Sequence, residues 1–527
     1  MRRYSLHPFL FALYPVLALL AHNAGQLRLA EGVRALIVAV GGAGVLFAIL
    51  RLILRDTLRA ALVCTLAVAL LFSYGHIYQW LGGLGPLGQM LGRHRYLIPV
   101  SLVVMLAGSL AIVRGLKDPA PWTAGLNIAG LALLILPVAQ TVAIARGYPA
   151  AQASSEQLSA AECELHPTEG QALPDIYYII LDGYARQDVL ADTYNYDNQP
   201  FLDQLTQRGF YVAEWAQSNY FNTQLSLSSS LSYEYLDLLL RNELARMGRR
   251  EQVSAMRDHG AVRRNLECLG YTIVAFDSSS PASSWRDADV FLSPQRHGVQ
   301  SLALSGMNAF EAMLFNTTAG LVLSDASIAI PQWMRPDVDL PMREHRQRVQ
   351  FAFDTIGDGV PGLTSPKFVF AHVVAPHTPY AFGPNGEAVD PGGTFTLQSD
   401  STGASVDNDL AGYRNNVIYV SKEVLEAVDG ILSRSARPPI IIIQGDHGTY
   451  GDAHSRMSIL SAFYLPGGGQ VDLYPTITPV NTFRIIFNHY LGGQYELLPD
   501  ISYYSTDGSH SNLLVFPNPH APGSALQ

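Results

Sequence analysis

Five long apolar runs fill the first 145 residues of this 527-residue chain, roughly His7 to Ala21, Val33 to Leu54, Leu58 to Leu81, Tyr96 to Val113 and Trp122 to Ala143. All but the first reach the about 17 to 25 residues that a helix needs to cross a bilayer. Hydrocarbon offers no partner to a backbone N–H or C=O, so each run must bond within itself, as a transmembrane helix. The rest of the composition follows. Overall, 48% of residues are hydrophobic and only 15% charged, as expected when a membrane part is joined to a soluble part.

The first run follows Met1-Arg2-Arg3 and is short enough to be read as a secretory signal as well. Five spans starting inside, or four starting outside after cleavage, both deliver the chain beyond Ala143 to the outer face. Basic residues lean the same way: Arg2, Arg3, Arg51, Arg55, Arg59, Arg114 and Lys117 would be cytoplasmic, against Arg28, Arg34, Arg93, Arg95 and Arg146 outside. The three cysteines, Cys64 in a span and Cys163 and Cys268 beyond it, cannot build a disulfide framework or a Cys-based zinc site; one Cys163–Cys268 bridge is possible. A net charge of −10 without a basic tract excludes a nucleic-acid partner.

The expected organisation is a transmembrane domain over 1–145, a linker or juxtamembrane segment over 146–172 and a large α/β domain over 173–527. The apolar run Ile176 to Leu181 reads as a strand buried on both faces, ending in Asp182-Gly183. "FLDQLTQRGFYVAEW" then gives a helix and a strand, a βαβ rhythm. Phe368 to Val374 reads as another strand, with His372 in it and His377 at its exit. Apolar residues from Leu410 to Leu432 recur at helical spacing and lead into the strand Ile440 to Ile443, which runs into Asp446-His447. Residues 240–360 yield no assignment.

Ligands of open parallel sheets gather beyond the carboxyl ends of strands, where Asp182, His377 and Asp446-His447 all fall. Each alone is as readily a strand-end cap or a surface histidine. Together, oxygen and nitrogen donors of this kind suit one divalent cation. "SNYFNTQLSLSSSLS" adds Thr223, a hydroxyl at the expected start of a helix, where a cation and the helix amides can both activate it. Composition alone would make that stretch a Ser/Thr-rich cap or loop.

Taken in order, "YYIILDGYAR", "SNYFNTQLSLSSSLS", "FVFAHVVAPHTPY" and "IIIIQGDHGTYGDAH" resemble the motifs of the alkaline phosphatase and sulfatase superfamily. The spans followed by an external domain resemble its membrane phosphoalcohol transferases, which include lipoteichoic acid synthases and lipid A phosphoethanolamine transferases. The resemblance covers about 174–515 and is loose in the membrane part. It implies an N-terminal bundle of five transmembrane helices and an external sulfatase-like domain with a mainly parallel sheet flanked by helices. It also implies one divalent metal ion (zinc, manganese or magnesium) on Asp182, Thr223, Asp446 and His447, with Asp182 where many relatives have glutamate. Thr223 would be the nucleophile; His377 and His454 would contact the phosphate or protonate the leaving group. His372 stays outside this set, since from its place in the strand it can point into the core. The expected partners are a membrane phospholipid donor and a lipid or glycan acceptor, on the periplasmic side of a cytoplasmic membrane.

A formylglycine sulfatase is disfavoured, because "LSPQR" has Leu292 where the modifiable Cys or Ser must stand. A two-zinc phosphatase is disfavoured for want of six protein ligands. Two alternatives remain: a membrane-tethered phosphodiesterase, phosphatase or sulfatase-like hydrolase in which water resolves the intermediate, and a non-catalytic envelope protein with this fold, which would show a broken metal shell.

Overall fold

The computed structural model describes residues 4–22, 29–82, 84, 90–158, 163–168, 170–236, 259–278, 280, 283–294, 308–324, 340–389, 406–506 and 513–521. They divide into two compact units. One takes 1–146, 296–341 and 394–396, the other 147–295, 342–393 and 397–527.

The first unit is helical. Helices α1 (His7–His22), α2 (Val33–Leu54), α3 (Thr57–Gly82), α4 (His94–Leu110) and α5 (Ala120–Leu158) reproduce the five apolar runs. Four spans are long and apolar enough to cross a membrane, and α1, with 16 residues, is the shorter one. Helix α5 continues to Leu158, through the first part of the expected linker. Small residues bring α1, α2 and α3 together around Ala12, Ala43, Cys64 and Val68. Their second contact, around Val16, Leu20 and Ala35, is completed by Phe310 and Leu314 from far down the chain.

Those two residues lie on a short helix, Ala309–Thr317, that nothing in the sequence pattern assigns to the bundle. A capping box starts it: Asn308 Oδ1 accepts from the Glu311 backbone, and the Glu311 carboxylate accepts from the Asn308 backbone. Asn308 Nδ2 donates to Glu31 O at 3.0 Å, the Ala319 amide donates to Leu71 O at 2.8 Å, and Arg34 pairs with Glu311. A Cβ on Gly75 would lie 2.4 Å from the Thr317 backbone, so here only glycine allows the two backbones to touch.

The second unit is a three-layer α/β domain. Its main sheet runs β2 (Tyr211–Val212), β7 (Ser461–Tyr464), β6 (Ile440–Gly445), β1 (Ile176–Leu181), β5 (Lys367–Val373), β3 (Thr272–Phe276) and β4 (Val290–Leu292). Only β7 opposes the others; β4, β3, β5, β1 and β6 pair in parallel. Alternate side chains serve opposite faces. Tyr177, Ile179, Leu181, Ile441 and Ile443 enter one core with helices Gln187–Tyr194, Gln199–Gln207, Leu340–Asp358 and Val406–Arg434. Ile176, Tyr178, Ile180, Ile440 and Ile442 enter the other, with helices Thr223–Ser232, Ala261–Cys268 and Pro479–Tyr490. Thus the four isoleucines are shared two and two. Cys163 and Cys268 are disulfide-bonded, their Cα atoms 5.9 Å apart, within the usual span of such a bridge.

Candidate metal centre and active site

The registers of the central strands set the site. Leu181 stands level with Val373 on one side and with Gly445 on the other, so Asp182, His372 and Asp446 arrive together at one edge. The pleat then selects the face. Ile180 and Ile442 point to the same core as the helix that Thr223 opens, and Asp182 and Asp446 continue their parity, as His372 continues that of Phe368 and Phe370.

Close approaches hold the loops. Gly183 has a φ of +70° and donates its amide to Asp446 Oδ1 at 3.0 Å. A Cβ on Gly448 would meet Ser455 O at 2.1 Å, so the Asp446-His447 turn folds onto helix Ala453–Met457. Asp452 is the N-cap of that helix and accepts from the Ser455 amide at 2.8 Å. Thr223 opens a ten-residue helix capped by Asn222, whose side chain accepts from the Leu225 amide at 3.0 Å.

His447 donates from Nδ1 to Gly448 O at 2.8 Å, which leaves the lone pair on Nε2. Around that nitrogen lie Thr223 Oγ1 at 3.3 Å, Asp446 Oδ2 at 3.4 Å and Asp182 Oδ1 at 3.5 Å. His372 Nε2 stands 3.4 Å from Asp182 Oδ2. Asp182, His372, Asp446 and His447 are buried, whereas Thr223 and His377 are partly exposed. Burial by itself would raise the Asp182 carboxyl; His377, His372 and His447 together hold it well below the usual carboxylate range. Burial and then Arg456 lower His447, against the pull of Asp446 and Asp182.

Whether a cation belongs here is decided by unpaired atoms. Among the described residues, Asp182 Oδ1, Asp446 Oδ2 and His372 Nε2 are buried without a hydrogen-bond partner. Asp182, His372 and Asp446 can each offer an atom within 4.8 Å of the others. The carboxylate oxygens can only accept, and His372 Nε2 joins them as a base when its proton is on Nδ1. Burying such a set without a donor is costly, and a divalent cation satisfies all of it at once.

Of the expected residues, Asp182, Thr223, Asp446 and His447 converge at this point. His377 flanks them: its ring centroid is 6.1 Å from that of His447, its amide donates to Asp182 O, and its Nδ1 donates to Thr378 O at 2.8 Å. His454 instead pairs through Nε2 with Asp188 Oδ2 at 3.0 Å, its side chain 45% exposed. Two residues lie outside the expected set. His372, set aside in the sequence because it can point into the core, points into the cluster instead. Arg456 donates to Phe221 O at 2.7 Å and brings Nη2 to 3.5 Å from His447 Nε2, joining the Thr223 loop to the Asp446-His447 loop. The pleat could have found His372; nothing in the sequence marks Arg456. A small pocket beside them is lined by Gly183, His377, Tyr413, Gly448, Thr449 and Arg456.

No family model and no curated protein matches the chain. Among solved structures it is similar in fold to phosphoethanolamine transferases and sulfatases. One is the C-terminal periplasmic domain of EptC from Escherichia coli in complex with Zn, at 10% identity and TM-score 0.42, covering 67% of this chain and 95% of that one. Another is the integral membrane protein lipooligosaccharide phosphoethanolamine transferase A from Neisseria meningitidis, at 12% identity and TM-score 0.33, covering 89% and 88%. A third is a 2-O GAG sulfatase, at 13% identity and TM-score 0.36, covering 63% and 77%. What the site can do rests on its own donors and distances.

Proposed function

We propose that this chain is a membrane-anchored, metal-dependent transferase. It would move a phosphoalcohol group, of the phosphoethanolamine or phosphoglycerol type, from a phospholipid to an envelope lipid or glycan through a phospho-threonine. The observation that carries this reading is Thr223: a partly exposed hydroxyl at a helix N-terminus, 3.3 Å from His447 Nε2, beside a buried set of acceptors that lacks a donor. Asp182, Asp446, His447 and His372 would hold the cation, with Thr223 at its open side. When bound, a divalent ion lowers the pKa of a neighbouring hydroxyl and offsets charge on phosphoryl oxygens.

Thr223 loses its proton to solvent, and its Oγ attacks the donor phosphorus in line. The bond to the diacylglycerol oxygen breaks, and His377 Nε2 delivers a proton to it. The acceptor hydroxyl then gives its proton to the now neutral His377 and attacks the same phosphorus, and the bond to Thr223 breaks. Arg456 supplies fixed positive charge to the equatorial oxygens, where the transition state is most negative. The amides of the first helical turn at Thr223 face the same anion. His454, on the exposed side and tied to Asp188, is the alternative proton carrier.

Membrane spans suit a donor that never leaves the bilayer. The Cys163–Cys268 bridge fits an oxidising compartment, in line with a catalytic unit on the external side. The test is incubation of the detergent-solubilised chain with head-group-labelled phospholipid. An intact-mass adduct on Thr223, absent from Thr223→Ala, and label found on an acceptor are expected. Label released as the free phosphoalcohol would make the protein a hydrolase, and full turnover by Thr223→Ala would overturn the mechanism.

A further inference from the structure

The serine-rich stretch after β3 has no part in the reaction above. Its described residues form a hydrogen-bonded chain that ends on the metal centre. Ser283 Oγ lies 2.6 Å from His372 Nδ1, and both side chains are buried. Ser283 Oγ is 2.9 Å from Ser278 Oγ, which is 3.0 Å from Ser284 Oγ. The Ser284 hydroxyl points to Asp277 Oδ1 at 3.5 Å, and the Ser293 hydroxyl donates to Asp277 Oδ2 at 3.1 Å. Arg286 and Arg348 stand 3.6 and 3.9 Å from the same carboxylate.

This chain has a direction. A carboxylate can only accept, so Ser284 turns its hydrogen to Asp277. Besides Ser283 Oγ, the Ser278 hydrogen has two acceptors, Ser284 Oγ and Ser280 O at 3.2 Å; since neither the Ser280 carbonyl nor a Ser284 hydroxyl turned to Asp277 can donate in return, we place it on one of these, away from Ser283. Ser278 also accepts from the Ser280 amide, so its remaining lone pair faces Ser283 and takes that hydroxyl hydrogen. What Ser283 then presents to His372 is a lone pair, which calls for an N–H on Nδ1. The bare lone pair of His372 falls on Nε2, the atom 3.4 Å from Asp182 Oδ2 that has no partner of its own.

We propose that Ser283, aimed by the serine relay from Asp277, is a positioning residue that fixes His372 in the Nδ1–H tautomer, so that Nε2 serves the metal centre. The proposal rests on the metal-centre reading above. Groups behind a metal-bound histidine orient the ring and raise its basicity, and their loss costs about 10- to 100-fold in metal affinity.

The test is Zn2+ titration of the metal-stripped, detergent-solubilised full chain against a competing chelator. Ser283→Ala and Asp277→Asn, whose amide can donate and so breaks the direction, should each weaken Zn2+ by about 10- to 100-fold. Ser283→Ala added to His372→Ala should weaken it no further, because the relay acts only through that ring. Independent effects in the double variant, or a Ser283→Ala affinity within about twofold of wild type, would overturn the relay. Asp446→Asn separates the two readings. If it abolishes Zn2+ binding while Ser283→Ala does not weaken it, the centre stands and the relay falls; if it leaves binding unchanged, the centre itself is wrong, and the relay with it.

Discussion

Thr223 is placed by its helix cap and by Arg456, which ties Phe221 O, two residues before the threonine, to the Asp446-His447 loop. Arg456 also carries charge. Its replacement by alanine is expected to lower kcat by about 100-fold while Zn2+ content stays at the wild-type level, measured by turnover and metal analysis on the same preparation. Proportional loss of both would give Arg456 a structural part only. At this scale the sequence was informative wherever chemistry and spacing coincide, as in Asp446-His447 after four isoleucines. It was silent where a residue acts through a distant partner. Nothing local to Arg456 reveals Phe221, and nothing local to Ser283 reveals His372.

Helix termini matter more than helix interiors here. Asn222 offers a single side-chain oxygen to the Leu225 amide, and Asn222→Ala removes it. A stability loss of about 1 kcal/mol is expected from the cap, read as a lower Tm. Because the same turn carries the proposed nucleophile, kcat should fall at temperatures well below that Tm. The long helix Val406–Arg434 makes a different prediction. Glu423 is pushed up to about 7 by burial, with Glu426 and Asp354 adding to it. A folded-state value above the ordinary one means that the native protein holds this proton more tightly. The resulting stability is present below about pH 4.5 and is lost as pH rises towards 7. Glu423→Gln cannot ionise, so its Tm advantage over wild type should be near zero at pH 4.5 and grow up to pH 8. A constant difference across that range would assign the effect to packing. The helix itself was legible from its apolar spacing; the titration was not, since Asp354 comes from another helix.

For the whole molecule, apolar run length recovered the bundle and buried apolar runs recovered the three central strands, β1, β5 and β6, whose order only the structure gives. Edge strand β2, two residues long, falls where the strand after Gly209 is expected, whereas β4, with three residues, escaped because it is too short for a periodic signal. The region 240–360 was unreadable for a better reason. Part of it supplies β3, β4 and the relay to the catalytic unit, and part supplies Phe310 and Leu314 to the helical unit, so no single pattern runs through it.

That division bears on how the protein is made. The seat formed by Val16, Leu20 and Ala35 stays open after the last span has been inserted, until residues beyond β4 have been translated. Assembly of the membrane unit is therefore expected to be completed only late in translation, and fragments cut between 172 and 173 should leave both halves mismatched. Chain 1–172 should be less resistant to thermal denaturation in detergent than a two-fragment mixture of 1–172 with the peptide 308–324. Chain 173–527 alone should carry the apolar face of Phe310 and Leu314 into water and self-associate, and Phe310→Ser should relieve it. Equal melting with and without the peptide would show that the bundle does not need its late-made helix.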